Sequence, residues 1–461
     1  MNQRCVAQTG VGDPGYSQAL GRPLAQPCSN ARLSRASRRA FLGRMSRPLT
    51  ATPARAILRE VLHPAVIVGA LGYFVDIYDL ILFSIVRVTS LKDLGYVGDQ
   101  LATNGLLVLN LQMAGMLLGG ILFGMLGDRM GRVVLLFSSI LLYSAANIAN
   151  GFVHTLGAYA VCRFIAGVGL AGELGGGITL VSEVLSKEAR GYGTTLVATI
   201  GVFGAVVGGF VAGYVPWRTA FFIGGGLGFL LLGLRLSVAE SGMFQRMKGR
   251  AGVVRGNFLT LFTNRARFGK YLRCILIGLP TWFVIGILVT LAPEFARALG
   301  VPGEIKAAWA VSFAYLGITF GDLASGLLSQ WLGSRKKIVR SFLLLTLVGV
   351  AAYLLVRGEG PAGFYSLVFL LGLGVGYWAV FVTVGAEQFG TNIRATVATT
   401  VPNFVRGSLV PVTMAFTWCK GELGLLPGAA LVGAVCIGLA LWALHGLEET
   451  HGKSLDYFEA P

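Results

Sequence analysis

Asp76, Asp79, Arg163, Glu173, Asp322 and Arg406 each lie inside a long apolar run. Ionisable groups at membrane depth are costly, and by default they mark ion or substrate paths. Asp76 and Asp79, within Phe74-Val75-Asp76-Ile77-Tyr78-Asp79-Leu80, are spaced i, i+3 and share one helix face. If the helix starts near Pro64, they lie about 18 and 22 Å from its inner end. Arg163 belongs to a run of opposite direction, about 9 Å from the outer surface. In a hydrocarbon core of about 30 Å these depths are similar. A carboxylate–guanidinium pair between the first and fourth runs is therefore expected, either as a proton-coupling unit or as a structural ion pair. Glu173 lies nearer the inner end and reads as a gate contact or a second coupling residue. Asp322 and Arg406 either pair with each other or face a cavity. Tyr78, Asn110, Gln112, Trp282, Tyr377, Trp378 and Asn403 are the polar and aromatic candidates for lining that cavity. Each has a plainer alternative in helix–helix bonding or packing. Asn403 stands one turn before Arg406, between Pro402 and Pro411, which can break the helix and free backbone polar groups.

The elements that must carry these groups follow from composition. The chain has 461 residues, 54% hydrophobic and 13% charged, against about 25% charged in soluble domains. This describes a polytopic membrane protein, all-α, with six apolar runs between residues 62 and 238 and six between 271 and 446. A basic N-terminal tail of residues 1–61, a basic linker of residues 239–270 and a tail of residues 447–461 complete it. The net charge of +17 does not point to nucleic acid, because the bases cluster in alternate loops, as the positive-inside rule requires. Both termini are expected in the cytoplasm. Ser37-Arg38-Arg39-Ala40-Phe41-Leu42 resembles a twin-arginine signal, but Arg44, Arg47, Arg55 and Arg59 occupy its apolar region. The six cysteines form no Cys-x-x-Cys pair, the four histidines are scattered, and no phosphate-binding Gly-x-x-x-x-Gly-Lys loop occurs. No metal, no cofactor and no enzymatic nucleophile–base set is expected.

Between the second and third runs lies Gly124-Met125-Leu126-Gly127-Asp128-Arg129-Met130-Gly131-Arg132, a short polar hairpin followed by Leu136. Here the chain resembles the major facilitator superfamily. That resemblance implies twelve transmembrane helices in two pseudo-symmetric six-helix bundles, with a site between them at mid-membrane. It also implies that Gly124, Asp128, Arg129, Gly131 and Arg132 belong to an inner gate. The chain repeats itself at an offset of about 200 residues. Gly326-Leu327-Leu328-Ser329-Gln330-Trp331-Leu332-Gly333-Ser334-Arg335-Lys336 echoes the hairpin with Gln330 in place of the acid, and Glu183…Arg190 recurs as Glu387…Arg394. These acids and bases are further gate candidates.

Asp76-x-Tyr78-Asp79-Leu80 resembles the first helix of proton symporters for phosphate and aromatic acids. Arg163-x-x-x-Gly167-x-Gly169-x-Ala171-Gly172-Glu173 resembles the fourth helix of the metabolite:proton symporters, which implies a role for Arg163 in proton coupling. Glu449-Thr450-His451-Gly452-Lys453 looks like the tail of sugar porters, and Ala239-Glu240-Ser241 is a partial copy of their mid-chain motif. The glutamine element of their seventh helix is missing from Leu279-Pro280-Thr281-Trp282-Phe283-Val284-Ile285-Gly286. The expectation is a secondary transporter, a proton symporter of a small organic anion, acting as a monomer among membrane lipids. A sugar or polyol carrier and a non-transporting receptor are the alternatives.

Overall fold

The computed structural model describes residues 60–130, 132–173, 185–238, 258 and 260–452. Helices α1 (Pro64–Asp93), α2 (Asp99–Met130), α3 (Arg132–Asn150), α4 (Leu156–Leu170), α5 (Lys187–Tyr214) and α6 (Trp217–Val238) form the first half. The second half holds α7 (Arg265–Phe283), prolonged by a π-helical stretch Val284–Val289, then α8 (Ala307–Trp331) and α9 (Arg335–Leu355). α10 follows in two pieces, α10a (Pro361–Val375) and α10b (Trp378–Glu387). α11 is also divided, into α11a (Thr391–Gly407) and α11b (Leu409–Leu423), and α12 (Leu425–His445) ends the bundle. Among the described residues, nine of these helices are long and apolar enough to cross a membrane. Leu107, Phe210, Leu230, Val348, Trp418 and Trp442 stand exposed on the outside of the bundle, as lipid-facing residues do. The backbone has to be helical because a bilayer offers no water to unpaired N–H and C=O groups.

Helix pairing repeats between the halves. α2 packs on α4, α3 on α4 and α6, and α1 on α6, while α8 packs on α10, α9 on α10 and α12, and α7 on α12. The duplicated crossings share a chemical cause. A Cβ on Gly115 or Gly167 would collide with the α4 or α2 backbone, and one on Gly317 or Gly372 with the α10 or α8 backbone. Only glycine permits backbones this close. The halves meet through α5 against α8 and α2 against α11, with α1 also touching α8.

Short polar residues set the helix starts. Thr155, Ser186, Asn264 and Ser334 cap α4, α5, α7 and α9 through their side chains. Glu60 accepts the Ser186 N–H at 3.0 Å. Glu449 accepts the N–H groups of Arg335 and Lys336 at 3.0 and 3.2 Å. Burial works against the charge of Glu449, yet Ser334 and three backbone N–H groups hold its carboxyl down to about 2. Both ends of the described chain thus lie at one end of the bundle, the tail end. The opposite end is the far end.

Candidate functional site

α1 carries Asp76 and Asp79 into the interior, where both are fully buried. Their expected common partner is divided in the structure. Asp76 Oδ2 lies 3.9 Å from Arg406 Nη2 on α11a, across the interface between the halves. Asp79 faces Arg163 and Asn147 instead. Arg163 donates a short hydrogen bond to Asn147 Oδ1, and its guanidinium lies 4.7 Å from the Phe221 ring centroid. Gly224 on α6 clears the space, since a Cβ there would strike Asp79 Oδ1. All four carboxylate oxygens of Asp76 and Asp79 are buried without a hydrogen-bond donor, as are Arg163 Nε and Nη1 on the donor side. Buried polar groups are normally satisfied, and these oxygens and nitrogens are among the exceptions.

Arg406 is the hinge of the arrangement. Its Nη1 donates to Asn403 Oδ1 at 3.4 Å, and its guanidinium lies 5.7 Å from the Trp378 ring centroid. Asn403 Nδ2 in turn donates to Ala171 O in the first half at 2.9 Å. A cleft between the halves starts at Tyr73, Thr194 and Trp378 and continues past Thr195, Ser329 and Gln330 toward Arg335 at the tail end.

Other candidates sit elsewhere. Glu173 forms a buried two-pronged ion pair with Arg235 of α6, one contact at 3.0 Å and the other shorter. Tyr78 donates to Ala220 O at 3.2 Å and Gln112 to Leu80 O at 2.8 Å, so both tie helices of the first half together. Asn110 Oδ1 accepts from Thr413 of α11b at 2.8 Å, another bond between the halves. Tyr377 donates to Ile277 O at 2.9 Å. Asp322 Oδ1 accepts the Ala379 N–H at 3.0 Å. Trp282 is buried with its indole N–H unpartnered. Glu387 meets Arg335, Nη2 to Oε1 at 2.8 Å, while Arg394 Nε donates to Phe389 O at 3.3 Å. Gly131 and Glu183 lie outside the described residues, as do the surroundings of Gly124 and the side chains of Asp128, Arg129, Arg132 and Arg190.

The halves are bolted at the far end. Arg87 of α1 is fully buried and donates to both carboxylate oxygens of Glu294 at 2.8 Å, and to Leu101 O at 2.9 Å. Just below, Thr290 donates to Ser84 Oγ at 3.2 Å. Arg87, Asn147, Arg235 and Glu294 were missed by the sequence reading. Arg87 and Arg235 carry the signal that found Arg163, a base within an apolar run; Glu294 lies just past such a run.

The Major Facilitator Superfamily family model matches residues 69–409. The chain belongs to this superfamily. Among curated relatives, a putative niacin/nicotinamide transporter, NiaP, of Bacillus subtilis (strain 168) is 28% identical over 308 residues, covering 63% of this chain and 73% of the relative. The inner membrane metabolite transport protein YhjE of Escherichia coli (strain K12) is 29% identical over 367 residues, 73% of this chain and 82% of that protein. A gentisate transporter of Corynebacterium glutamicum is 23% identical over 409 residues, 84% and 88% of the two chains. In fold, the chain resembles the proton:xylose symporter XylE bound to 6-bromo-6-deoxy-D-glucose. The TM-score is 0.64 at 16% identity, covering 85% of this chain and 97% of that one. As a superfamily member the protein is an integral membrane transporter of twelve helices in two related bundles, and not an enzyme.

Proposed function

We propose that this superfamily member is a proton-coupled symporter of a small organic anion, working by alternating access between its two halves. The observation that carries this reading is the buried Asp76–Arg406 contact across the interface. An anionic substrate and the Asp76 carboxylate compete for one guanidinium. A proton on Asp76 releases Arg406 to the anion, so proton and substrate travel together as a neutral load. Asp79, facing Arg163 in the same helix layer, is the second proton candidate. The relative named for gentisate supports the anion, the one named for niacin/nicotinamide covers an acid and its neutral amide, and the xylose symporter's fold supports proton drive. The tail end, where α9 starts with Arg335, Lys336 and Lys337, faces the cytoplasm of a bacterial-type inner membrane, and a monomer among lipids suffices for the cycle.

The test is uptake into proteoliposomes under an imposed pH gradient, with nicotinate and gentisate as probe anions. At least one anion is expected to accumulate. Asp76→Asn and Asp79→Asn abolish the accumulation while exchange of the anion across the membrane survives. Accumulation at a normal rate in both variants and in the double variant refutes the coupling role. The clasp of the C-terminal tail on α9 falls within the segment that resembles sugar porters, which makes a sugar carrier the second reading. Accumulation of xylose and of neither anion establishes it, whereas binding without accumulation marks a receptor.

A further inference from the structure

α10 breaks at Gly376 and Tyr377, and α10b starts without a cap of its own, because the side chain at its N-cap, Tyr377, makes no capping bond. A helix start buried in a bundle leaves N–H groups that need acceptors. The acceptor comes from another helix. Asp322 of α8 is fully buried. Its Oδ1 accepts the Ala379 N–H at 3.0 Å, with the Trp378 N–H alongside. The reach depends on two facing glycines: a Cβ on Gly376 would lie 2.5 Å from Gly321 Cα and 2.9 Å from Asp322 N. Tyr377 fixes the same point to α7 through Ile277 O. The first residue of α10b is Trp378, the ring beside which Arg406 lies.

We infer that Asp322 is a positioning residue. It clasps the start of α10b and so sets Trp378 as the wall that aims Arg406 at Asp76 and at the transported anion. In this role Asp322 acts through Oδ1 on the backbone, while its Oδ2 is buried without a partner. This reassigns a residue whose sequence context reads as a cavity group. The inference rests on the proposed role of Arg406 for its transport measurement, and stands apart from it for its backbone measurement.

The clasp requires an oxygen acceptor and no charge, and asparagine caps helices as well as aspartate does. In full-length protein, Asp322→Ala leaves the Ala379 N–H buried and unpaired, and amide exchange across residues 378–381 speeds up about tenfold or more. Asp322→Asn keeps that protection within about threefold of wild type, because the acceptor remains. In exchange of the anion used for uptake, Asp322→Ala raises KM about tenfold with the maximal rate little changed, and Asp322→Asn restores KM. Trp378→Ala raises KM similarly, and the Asp322→Ala/Trp378→Ala pair is no worse than the poorer single variant. Any marked loss of exchange in Asp322→Asn overturns the inference, since charge is then what matters. Unchanged amide exchange in Asp322→Ala overturns it too. If Asp322→Ala does not fold, Asp322→Asn decides alone: retained KM with retained α10b protection supports the clasp, and every other result overturns it. If wild type exchanges no anion, the proposed function fails, and the amide measurement still decides the clasp.

Discussion

Breaking the far-end bolt should tilt the carrier toward its far-side-open state by an amount the structure sets. In Glu294→Ala, the fully buried Arg87 keeps only its bond to Leu101 O. Removing one partner of a buried pair costs about 3–5 kcal/mol, and the 15% exposure of the Glu294 side chain points to the lower end, about 3 kcal/mol. The penalty falls on the closed state alone, because an opened far end returns Arg87 to water. At about 1.4 kcal/mol per tenfold, the population of the open state rises on the order of 100-fold. Ser84→Cys reports it: Ser84 is buried at the same interface, bonded to Thr290. A polar thiol reagent should label that cysteine on the order of 100-fold faster in the Glu294→Ala background, or until the open state saturates. Joint replacement, Arg87→Met with Glu294→Leu, should slow labelling again, because no charge is left stranded. Labelling within about twofold of the parent, in folded and monodisperse Glu294→Ala, would refute the reasoning.

Two further outcomes follow from buried or half-buried carboxylates. Arg235→Ala should lower the thermal midpoint sharply by stranding Glu173, while Glu173→Leu with Arg235→Met restores it; transport that also returns in the double variant makes the pair structural, and transport that stays lost makes Glu173 part of coupling. The Glu449 clasp stabilises the folded tail because its carboxyl is lowered from the ordinary 4.5 to about 2. That stability is fully present above about pH 4.5 and is lost as pH falls toward 2. Protection of the Arg335 and Lys336 amides, corrected for intrinsic rates, should therefore survive to about pH 4.5, and its loss at pH 5 or 6 would disprove the clasp.

The membrane architecture was legible because lipid permits so few backbones: apolar runs of sufficient length have to be helices, and the Gly115/Gly167 and Gly317/Gly372 crossings bear out the duplication read from the hairpin echo. The acids on α1 were legible by cost alone. Their partners were not. Depth along a helix can be counted from sequence, but rotation about the axis and the angle between halves cannot. Equal depth therefore suggested Arg163 for both acids, while the structure gives Asp76 to Arg406. The second hairpin has Gln330 in place of the acid, yet Glu387 pairs with Arg335 and Glu449 caps the same helix start. Those contacts join segments about 50 and 114 residues apart, beyond the range of any local pattern. Asp322 shows the third limit, that a side chain can serve the backbone of another helix with nothing in its own neighbourhood to announce it.

The interruptions of the helices are not shared evenly. Among the described residues, α1, α2, α3, α5 and α6 run unbroken and α4 gives way to a turn at Ala171 and Gly172, whereas the π-helical stretch of α7, the gap in α10 and the joint at Ser408 in α11 fall in the second half. Bending costs least where the regular ladder of backbone bonds is already interrupted. Among the described residues the second half thus holds more of the joints, and the first holds most of the buried charge. A ligand wedged at the α10 gap would meet the Asp322 clasp, so the bend there and the contact that holds it form one target.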